Sequence, residues 1–92
     1  MTMIHDSYLY TGTGTSPVFV LKGGLYEFAA VSASWSGGSA VLNQLGPDGS
    51  TYLSITTPIT ANGGALYYLP PGDYEIVFTT ATGSAHVVRV PL

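Results

Sequence analysis

Apolar and polar residues alternate along most of this chain in short runs, and glycines or prolines interrupt the runs about every eight to twelve residues. A period of two is typical of β-strands that bury one face, whereas no stretch shows the 3.6-residue period of an amphipathic helix. The pattern therefore predicts an all-β fold with the spacing of a sandwich or barrel. The eight predicted strands cover residues 7–10, 18–21, 25–34, 40–45, 51–55, 65–69, 73–80 and 85–90.

One phrase occurs twice in the sequence. LKGGLYEF begins at Leu21 and LPPGDYEI begins at Leu69, 48 positions later. Both read Leu-x-x-Gly-x-Tyr-Glu followed by a large apolar residue, and the surrounding strands and glycine turns align with three residues fewer in the second copy. Two similar halves are typical of a double Greek key or a jelly roll. A chance likeness between two hairpins of common composition is the alternative explanation.

The repeated phrase has a predicted structural role. In each copy we expect the Leu to fill the core, the Gly to permit a bend, and the Tyr hydroxyl to bond back to a carbonyl in the turn. This arrangement resembles the tyrosine corner of Greek-key sandwiches. Alternation places six side chains of the two copies inside: Tyr26, Phe28, Ala30, Tyr74, Ile76 and Phe78. The motif glutamates, Glu27 and Glu75, then lie outside.

These patterns predict one antiparallel β-sandwich of seven to eight strands, of jelly-roll or Greek-key type, over residues 17–92. A chain of 92 residues leaves no room for a second core. Residues 1–16 are predicted to form an extended N-terminal arm, and the stretch TGTGTSP at 11–17 is predicted to be a flexible linker.

The charge content is low. Lys22 and Arg89 are the only lysine and arginine, and charged residues make up 8% of the chain, against about a quarter in an ordinary domain. Two cations cannot neutralise a row of phosphates, so nucleic acid is not expected as a partner. No apolar run approaches the length of a membrane span, and the first ten residues lack a secretory signal, so we expect synthesis in the cytoplasm. A surface this neutral favours a protein that is packed against other protein.

No catalytic or metal-binding pattern stands out. Glu27 and Glu75 could act as paired carboxylates if the fold brought them together, but solvated or interface side chains are the simpler interpretation. His5 lies in the predicted arm, and His86 shares a strand face with Val88 and Val90, which favours a partly buried core or interface histidine. The sequence therefore predicts neither an enzyme nor a cofactor or metal site.

Aromatic residues are more numerous than a small core can hold. Trp35 and several tyrosines are predicted to be exposed, and exposed aromatic side chains serve as protein-interface anchors or as platforms for sugars. With so little charge around them, the protein interface is favoured. The predicted partner-binding residues are Ile4, His5, Tyr8, Tyr10, Trp35, Tyr67 and Tyr68.

A short polar-aromatic arm followed by VFVLKGGLYEF, LNQLGPDGSTY and LPPGDYEIVF resembles the small β-sandwich capsid decoration, or cement, proteins of tailed bacteriophages. The resemblance covers about residues 18–90 and rests on motifs that also occur in unrelated sandwiches. It implies a jelly-roll-like module on the outside of a capsid, bound to the major capsid protein and often trimeric. It assigns no functional residues.

The sequence thus predicts a non-enzymatic virion structural protein that stabilises a phage capsid from outside through protein–protein contacts. It would be synthesised in the host cytoplasm and act on the capsid surface as a homo-oligomer, with a trimer favoured. A carbohydrate-binding or host-attachment module of a phage particle, using Trp35 and surface tyrosines, is the alternative.

Overall fold

Nearly the whole chain is β-structure, as the alternation predicts. The computed structural model describes residues 7–90 and the backbone of residues 4–5. Its strands are β1 (Ile4–His5), β2 (Ser7–Thr15), β3 (Phe19–Leu21), β4 (Gly24–Val31), β5 (Ser39–Leu45), β6 (Tyr52–Ser54), β7 (Gly63–Leu69) and β8 (Gly72–Arg89). In the part of the chain described, no helix is long and apolar enough to cross a membrane.

The long strand β8 organises the sheet. Its first half, residues 72–79, pairs with β3 and β5, and its second half, residues 84–89, pairs with β4. β2 runs antiparallel along both halves, β7 adds to β4, and β6 adds to β5. The result is one strongly curled, open sheet of antiparallel strands, with β1 added in parallel to β3. The all-β prediction is confirmed, but two clearly separate sheets are not seen.

Two predicted strands, 73–80 and 85–90, are one strand in the structure. The sequence between them, TATGS, has the composition of a turn. Instead Thr80 adopts a left-handed backbone conformation, with a φ of 64°, and the strand continues beyond it into the second half of the sheet. β8 therefore joins two regions that the sequence predicted as separate strands.

The segment predicted as arm and linker belongs to the sheet. β2 pairs with β8 from Ser7 opposite Val88 to Thr15 opposite Val77. The Tyr8 ring stacks on Phe19 with centroids 4.1 Å apart. The prediction of a flexible linker is wrong for Thr11–Thr15, because alternating Thr and Gly residues carry no apolar signal although they pair with β8, with one register shift between Gly12 and Gly14.

The core lies inside the curl and is built around the repeated phrase. Its fully buried large side chains are Tyr26, Tyr74, Phe19, Phe28, Leu21, Leu42, Ile76 and Val87. The Tyr26 hydroxyl donates to the Gly23 carbonyl at 3.5 Å, and the Tyr74 hydroxyl donates to the Pro70 carbonyl at 2.5 Å. The predicted tyrosine corner is therefore present in both copies, with all six predicted inward side chains buried.

The two copies are joined by exchanged pairing. Leu21 of the first copy lies opposite Gly72 of the second, and Leu69 of the second lies opposite Gly24 of the first. The following strands show the same exchange: Gln44 lies opposite Tyr74, and Arg89 lies opposite Tyr26. The strand that begins with the motif Tyr in each copy is thus paired on both sides with strands of the other copy. This is the pattern of an internal two-fold axis.

The tightest backbone approaches obey the same symmetry. A Cβ at Gly38 would lie 2.1 Å from the Thr79 carbonyl oxygen, and a Cβ at Gly83 would lie 2.2 Å from the Val31 carbonyl oxygen. Gly38 and Gly83 are equivalent in the repeat, and so are Thr79 and Val31. At each of these positions, the strand that follows the Tyr-led strand in one copy passes the end of the Tyr-led strand of the other copy. Only glycine fits at so close an approach.

A tight hairpin joins β5 and β6. Gly46 N donates to Thr51 O at 2.6 Å, and Gly49 adopts a φ of 77°. The Thr51 hydroxyl and the backbone N–H groups of Ser50 and Thr51 all donate to the Asp48 carboxylate, which lowers the pKa of Asp48 to about 2. These bonds close the turn locally.

Candidate interaction surface

One side of the sheet carries most of the exposed apolar area. In β4 the side chains of Tyr26 and Phe28 point into the core, so Glu27 and Val31 point out. Directly paired residues share a face, so the register of β4 with β7 and β8, and of β8 with β2, defines the surface that we call the outer face. Its large apolar members, with exposed fractions, are Leu9 (66%), Val31 (58%), Leu66 (59%), Tyr68 (77%) and Val88 (38%).

The outer face is unusual for so small a domain. Five of the seven exposed large hydrophobic side chains among the described residues lie on it, and the other two are Val18 and Leu53. Contiguous apolar surface of this kind marks binding sites in soluble proteins, whereas scattered exposed hydrophobics need no explanation.

A hydrogen-bonded His–Glu pair lies among the apolar side chains of the outer face. The His86 Nε2 atom lies 3.1 Å from the Glu27 Oε1 atom, and the two side chains are 40% and 49% exposed. Leu66 and Val88 lie opposite Glu27 on the two neighbouring strands. Because an exposed contact of this kind contributes at most about 1 kcal/mol even when both groups are charged, this pair orients polar groups within the apolar surface more than it stabilises the fold.

The symmetry-related side of the sheet has different chemistry. Glu75 is the repeat equivalent of Glu27, and it accepts a hydrogen bond from Asn43 Nδ2 at 3.4 Å. Ser54 on β6 donates to the other amide atom, Asn43 Oδ1, at 3.0 Å. Among the described residues of this side, one large hydrophobic side chain is exposed, that of Val18 (46%), which is the repeat equivalent of Leu66. Since the same motif builds both sides, the fold does not require the apolar character of the outer face.

The two motif glutamates have different surroundings. Glu27 has Leu66 and Val88 as its cross-strand neighbours, whereas Glu75 has Asn43. Across residues 7–90, no three His, Cys, Asp or Glu side chains are close enough to hold a metal ion. The glutamates therefore lie on the outside, as the alternation predicts.

Two of the predicted contact residues, Tyr8 and Tyr10, pack against the core. Tyr8 stacks on Phe19, and the Tyr10 ring lies 6.2 Å from that of Phe78 while its hydroxyl donates to the Thr13 carbonyl at 2.5 Å. Both rings pack against the core and are half-buried. Their predicted role as arm residues that reach a partner is not supported by this packing.

Of the other predicted aromatic contact residues, two are half-buried and one is exposed. The Trp35 ring lies 6.3 Å from that of Phe78, and its Nε1 donates to Asn62 Oδ1 at 2.9 Å. The Tyr67 ring is half-buried, and its hydroxyl accepts a hydrogen bond from the Thr57 backbone at 3.2 Å. Tyr68 alone among these aromatics is largely exposed, because alternation turns it outward when Tyr67 turns inward.

Ile4 and His5 fall partly outside the described structure. Their backbone forms β1, with Ile4 opposite Val20 and His5 opposite Leu21, and their side chains are not described.

The sequence prediction missed Leu9, Val31, Leu66 and Val88. Val31 and Val88 follow buried residues and Leu9 and Leu66 adjoin half-buried ones, which was a usable signal, but their assembly into one surface depends on pairings between distant strands. The core option for His86 is wrong, because Ala85 and Val87 point inward instead.

A shallow groove of about 310 Å³ lies beside β7. Residues 57–61 form one wall, and Gly63, Gly64, Ala65 and Tyr67 form the other. The wall residues carry no charge, so the groove offers shape and backbone groups rather than electrostatic recognition.

Searches against protein-family models, curated proteins and solved structures each gave no match. The resemblance to capsid decoration proteins therefore stays a prediction, and the geometry of the outer face carries the functional argument.

Proposed function

We propose that this chain is a non-enzymatic structural protein that acts by binding another protein through its outer face. The observation that carries the proposal is the concentration of Leu9, Val31, Leu66, Tyr68 and Val88 on one side of a sheet whose symmetry-related side exposes only Val18 among the described large hydrophobic side chains. An apolar surface that the fold does not need is best explained by a partner that covers it.

The size of the surface indicates modest affinity for a single contact. Burying a Val or Leu side chain completely stabilises by about 1.5–3 kcal/mol, and these side chains are already partly covered. Five of them contribute several kcal/mol, against an association cost of about 4–15 kcal/mol. Such a site works best where copies bind together on a repeating lattice, because linked contacts add avidity.

The lattice we propose is a phage capsid, with the major capsid protein as partner. This more specific proposal rests on the sequence resemblance and on the low charge, which suits a surface that stays assembled. Binding only the assembled shell would stabilise it by mass action. We further propose that the curled sheet is of jelly-roll or Greek-key sandwich type, with β8 shared by its two layers, and that the protein acts as a homo-oligomer.

Co-sedimentation tests the proposal. The probe is shells assembled from the major capsid protein of the same genome, mixed with wild-type protein or with a Leu9→Lys, Val88→Lys double variant. Two lysines in the outer face should lower occupancy at least about tenfold, since charged groups would be desolvated on binding. A Leu53→Lys variant, on an exposed site of β6, is the matched control and should bind like wild type.

Two results would overturn the proposal. Wild-type protein that does not sediment with the shells removes the capsid as partner, and undiminished binding of the double variant removes the outer face. A glycan array covers the carbohydrate alternative. Binding to glycans that is lost in Tyr68→Ala would replace our proposal, whereas the half-buried Trp35 ring, with its Nε1 bonded to Asn62, offers little free stacking surface.

A further inference from the structure

β7 is an open edge of the sheet. Within the described residues it has a hydrogen-bonded neighbour strand on one side only, β4. Its sequence, GGALYYL, is seven residues long and contains neither charge nor proline. Exposed edges of this kind pair readily with another strand, and natural proteins usually protect them.

The other edges are protected. β1 and β6 have only two and three residues. β2 is longer, but its regular ladder ends at Gly12, where the register shifts. Short strands and register shifts disfavour edge-to-edge pairing, so β7, with seven consecutive pairs, is the longest regular edge in the described structure.

The direction of the free backbone groups follows from the register. The Val90 N–H donates to the Leu25 carbonyl, so Leu25 directs its backbone groups toward β8. Successive residues alternate, so Tyr26 and its neighbours two positions away direct theirs toward β7. Tyr26 lies opposite Tyr67, which therefore bonds to β4.

The alternate residues of β7 face outward. Gly64, Leu66 and Tyr68 direct their N–H and C=O groups toward the open edge, where the groove beside residues 57–61 leaves space next to the start of the strand. Three donors and three acceptors in a row are the template that an added β-strand completes.

We propose that the added strand is β7 of a second copy of this chain, antiparallel across a two-fold axis at Leu66. In this register Leu66 faces Leu66 of the second copy, and Gly64 faces Tyr68, so all six outward residues exchange hydrogen bonds. An uncharged strand is complementary to itself, and a two-fold contact closes after two copies. Gly64 has no side chain, so the exposed Tyr68 ring of the other copy lies across it, as aromatic side chains do over strand glycines.

Pairing at this edge extends the outer face. Leu66 and Tyr68 lie at the β7 border of that face, so the two copies join their outer faces into one continuous apolar surface. The strand contact is about 24 Å long and buries less than a standard interface. The dimer is therefore weak and concentration-dependent. This inference goes beyond the proposed function and does not depend on it.

Sedimentation velocity from micromolar to millimolar protein, with Leu66→Pro and Leu66→Ala as a matched pair, tests the proposal. Proline removes the outward N–H at the axis but none of the bonds to β4, and edge strands tolerate it. We expect wild type to pass from monomer to dimer, Leu66→Pro to dimerise at least about tenfold more weakly, and Leu66→Ala, which keeps the N–H, to stay close to wild type. A wild type that stays monomeric, a trimer, or an unaffected Leu66→Pro dimer would each overturn the proposal.

Amide hydrogen exchange on the wild type provides a test without substitutions. The amides of Gly64, Leu66 and Tyr68 should exchange several-fold more slowly at high concentration, whereas that of Tyr67, already bonded to β4, should not change. A dimer that leaves the three outward amides unprotected refutes β7 pairing. The Leu9→Lys, Val88→Lys variant separates the two proposals, because it should lose shell binding and keep the dimer.

Discussion

At the residue scale, the repeated tyrosines explain why the same phrase occurs twice. Each Tyr fills the core with its ring and bonds its hydroxyl to a carbonyl three or four residues earlier, which fixes the corner before its strand. Period two and the adjacent glycine made this role predictable from sequence. The Glu27–His86 contact was not predictable, because it joins residues 59 positions apart that only the strand register brings together.

Tyr74 should make stability fall at high pH. Burial, with a smaller contribution from Tyr26, raises the pKa of Tyr74 to about 12 from its usual value of 10.0. The Tyr74 hydroxyl loses its proton at a lower pH in the unfolded chain than in the folded protein. Its contribution to the free energy of unfolding is therefore complete below pH 10 and is lost as pH rises toward 12. Urea unfolding across this range should show a decline that Tyr74→Phe lacks, while at neutral pH that variant loses about 1 kcal/mol with its hydrogen bond. An equal decline in both proteins would contradict this assignment.

Gly38 and Gly83 should resist substitution equally. An alanine Cβ at either position would overlap a backbone carbonyl oxygen at 2.1 or 2.2 Å, which requires the strand to move. We expect Gly38→Ala and Gly83→Ala each to lower the free energy of unfolding by about 3 kcal/mol or more.

Gly72→Ala is the control for this pair, because its Cβ would meet only the end of the flexible Gln44 side chain at 3.3 Å. It should cost under about 1 kcal/mol. Thermal or urea unfolding of the three variants measures the comparison, and similar losses in all three would show that close backbone approach does not set the cost.

At the element scale, β2 shows what a sequence pattern leaves undetermined. Its burial alternates between exposed and half-buried residues, and Gly and Thr replace apolar residues along its second half. Alternation of apolar and polar residues identifies a strand only where one face is apolar, so the sequence predicted only residues 7–10 of β2 as a strand. The strand exists because β8, more than sixty residues later, provides the hydrogen-bonding partners. β4, β5 and β7 carry enough apolar residues to be recognised and were predicted within a few residues.

Removing residues 1–14 should therefore disrupt the fold and not merely partner binding. The deletion strips most of the ladder from one side of β8 and uncovers Phe19 and Phe78, on which Tyr8 and Tyr10 pack. We expect loss of the cooperative thermal transition, or a midpoint lowered by more than about 10 °C.

A Leu9→Ser variant is the control for the deletion, because Leu9 is 66% exposed on the same strand. It should unfold close to wild type. A truncated protein that keeps the wild-type midpoint would show that β2 is a separable arm after all.

At the scale of the whole molecule, the internal two-fold axis makes the copies mutually dependent. The Tyr-led strand of each copy lies between two strands of the other, so neither copy contains its own ladder. The sequence repeat predicted two similar halves but not the exchange between them. A chance likeness of two hairpins would not reproduce equivalent pairings at every position of the motif.

A chain divided in the connection between β6 and β7 should reassemble. Fragments 1–60 and 61–92 each lack the neighbours that complete their sheet, so each alone should show little near-ultraviolet circular dichroism. Mixed in equal amounts they should recover the wild-type spectrum and a one-to-one mass. A fragment that folds alone, or a mixture that stays unfolded, would contradict mutual dependence of the copies.

The central position of β8 also has a consequence for synthesis on the ribosome. The strand that bonds to β2, β3, β4 and β5 follows all of them in the chain, and on the order of ten seconds of translation separate the first residue of β2 from the last of β8. Until β8 leaves the exit tunnel, the earlier strands lack their template and expose apolar side chains with little charge to keep them apart. Nascent chains stalled before residue 72 should therefore recruit chaperones strongly, and chains whose β8 has left the exit tunnel should not.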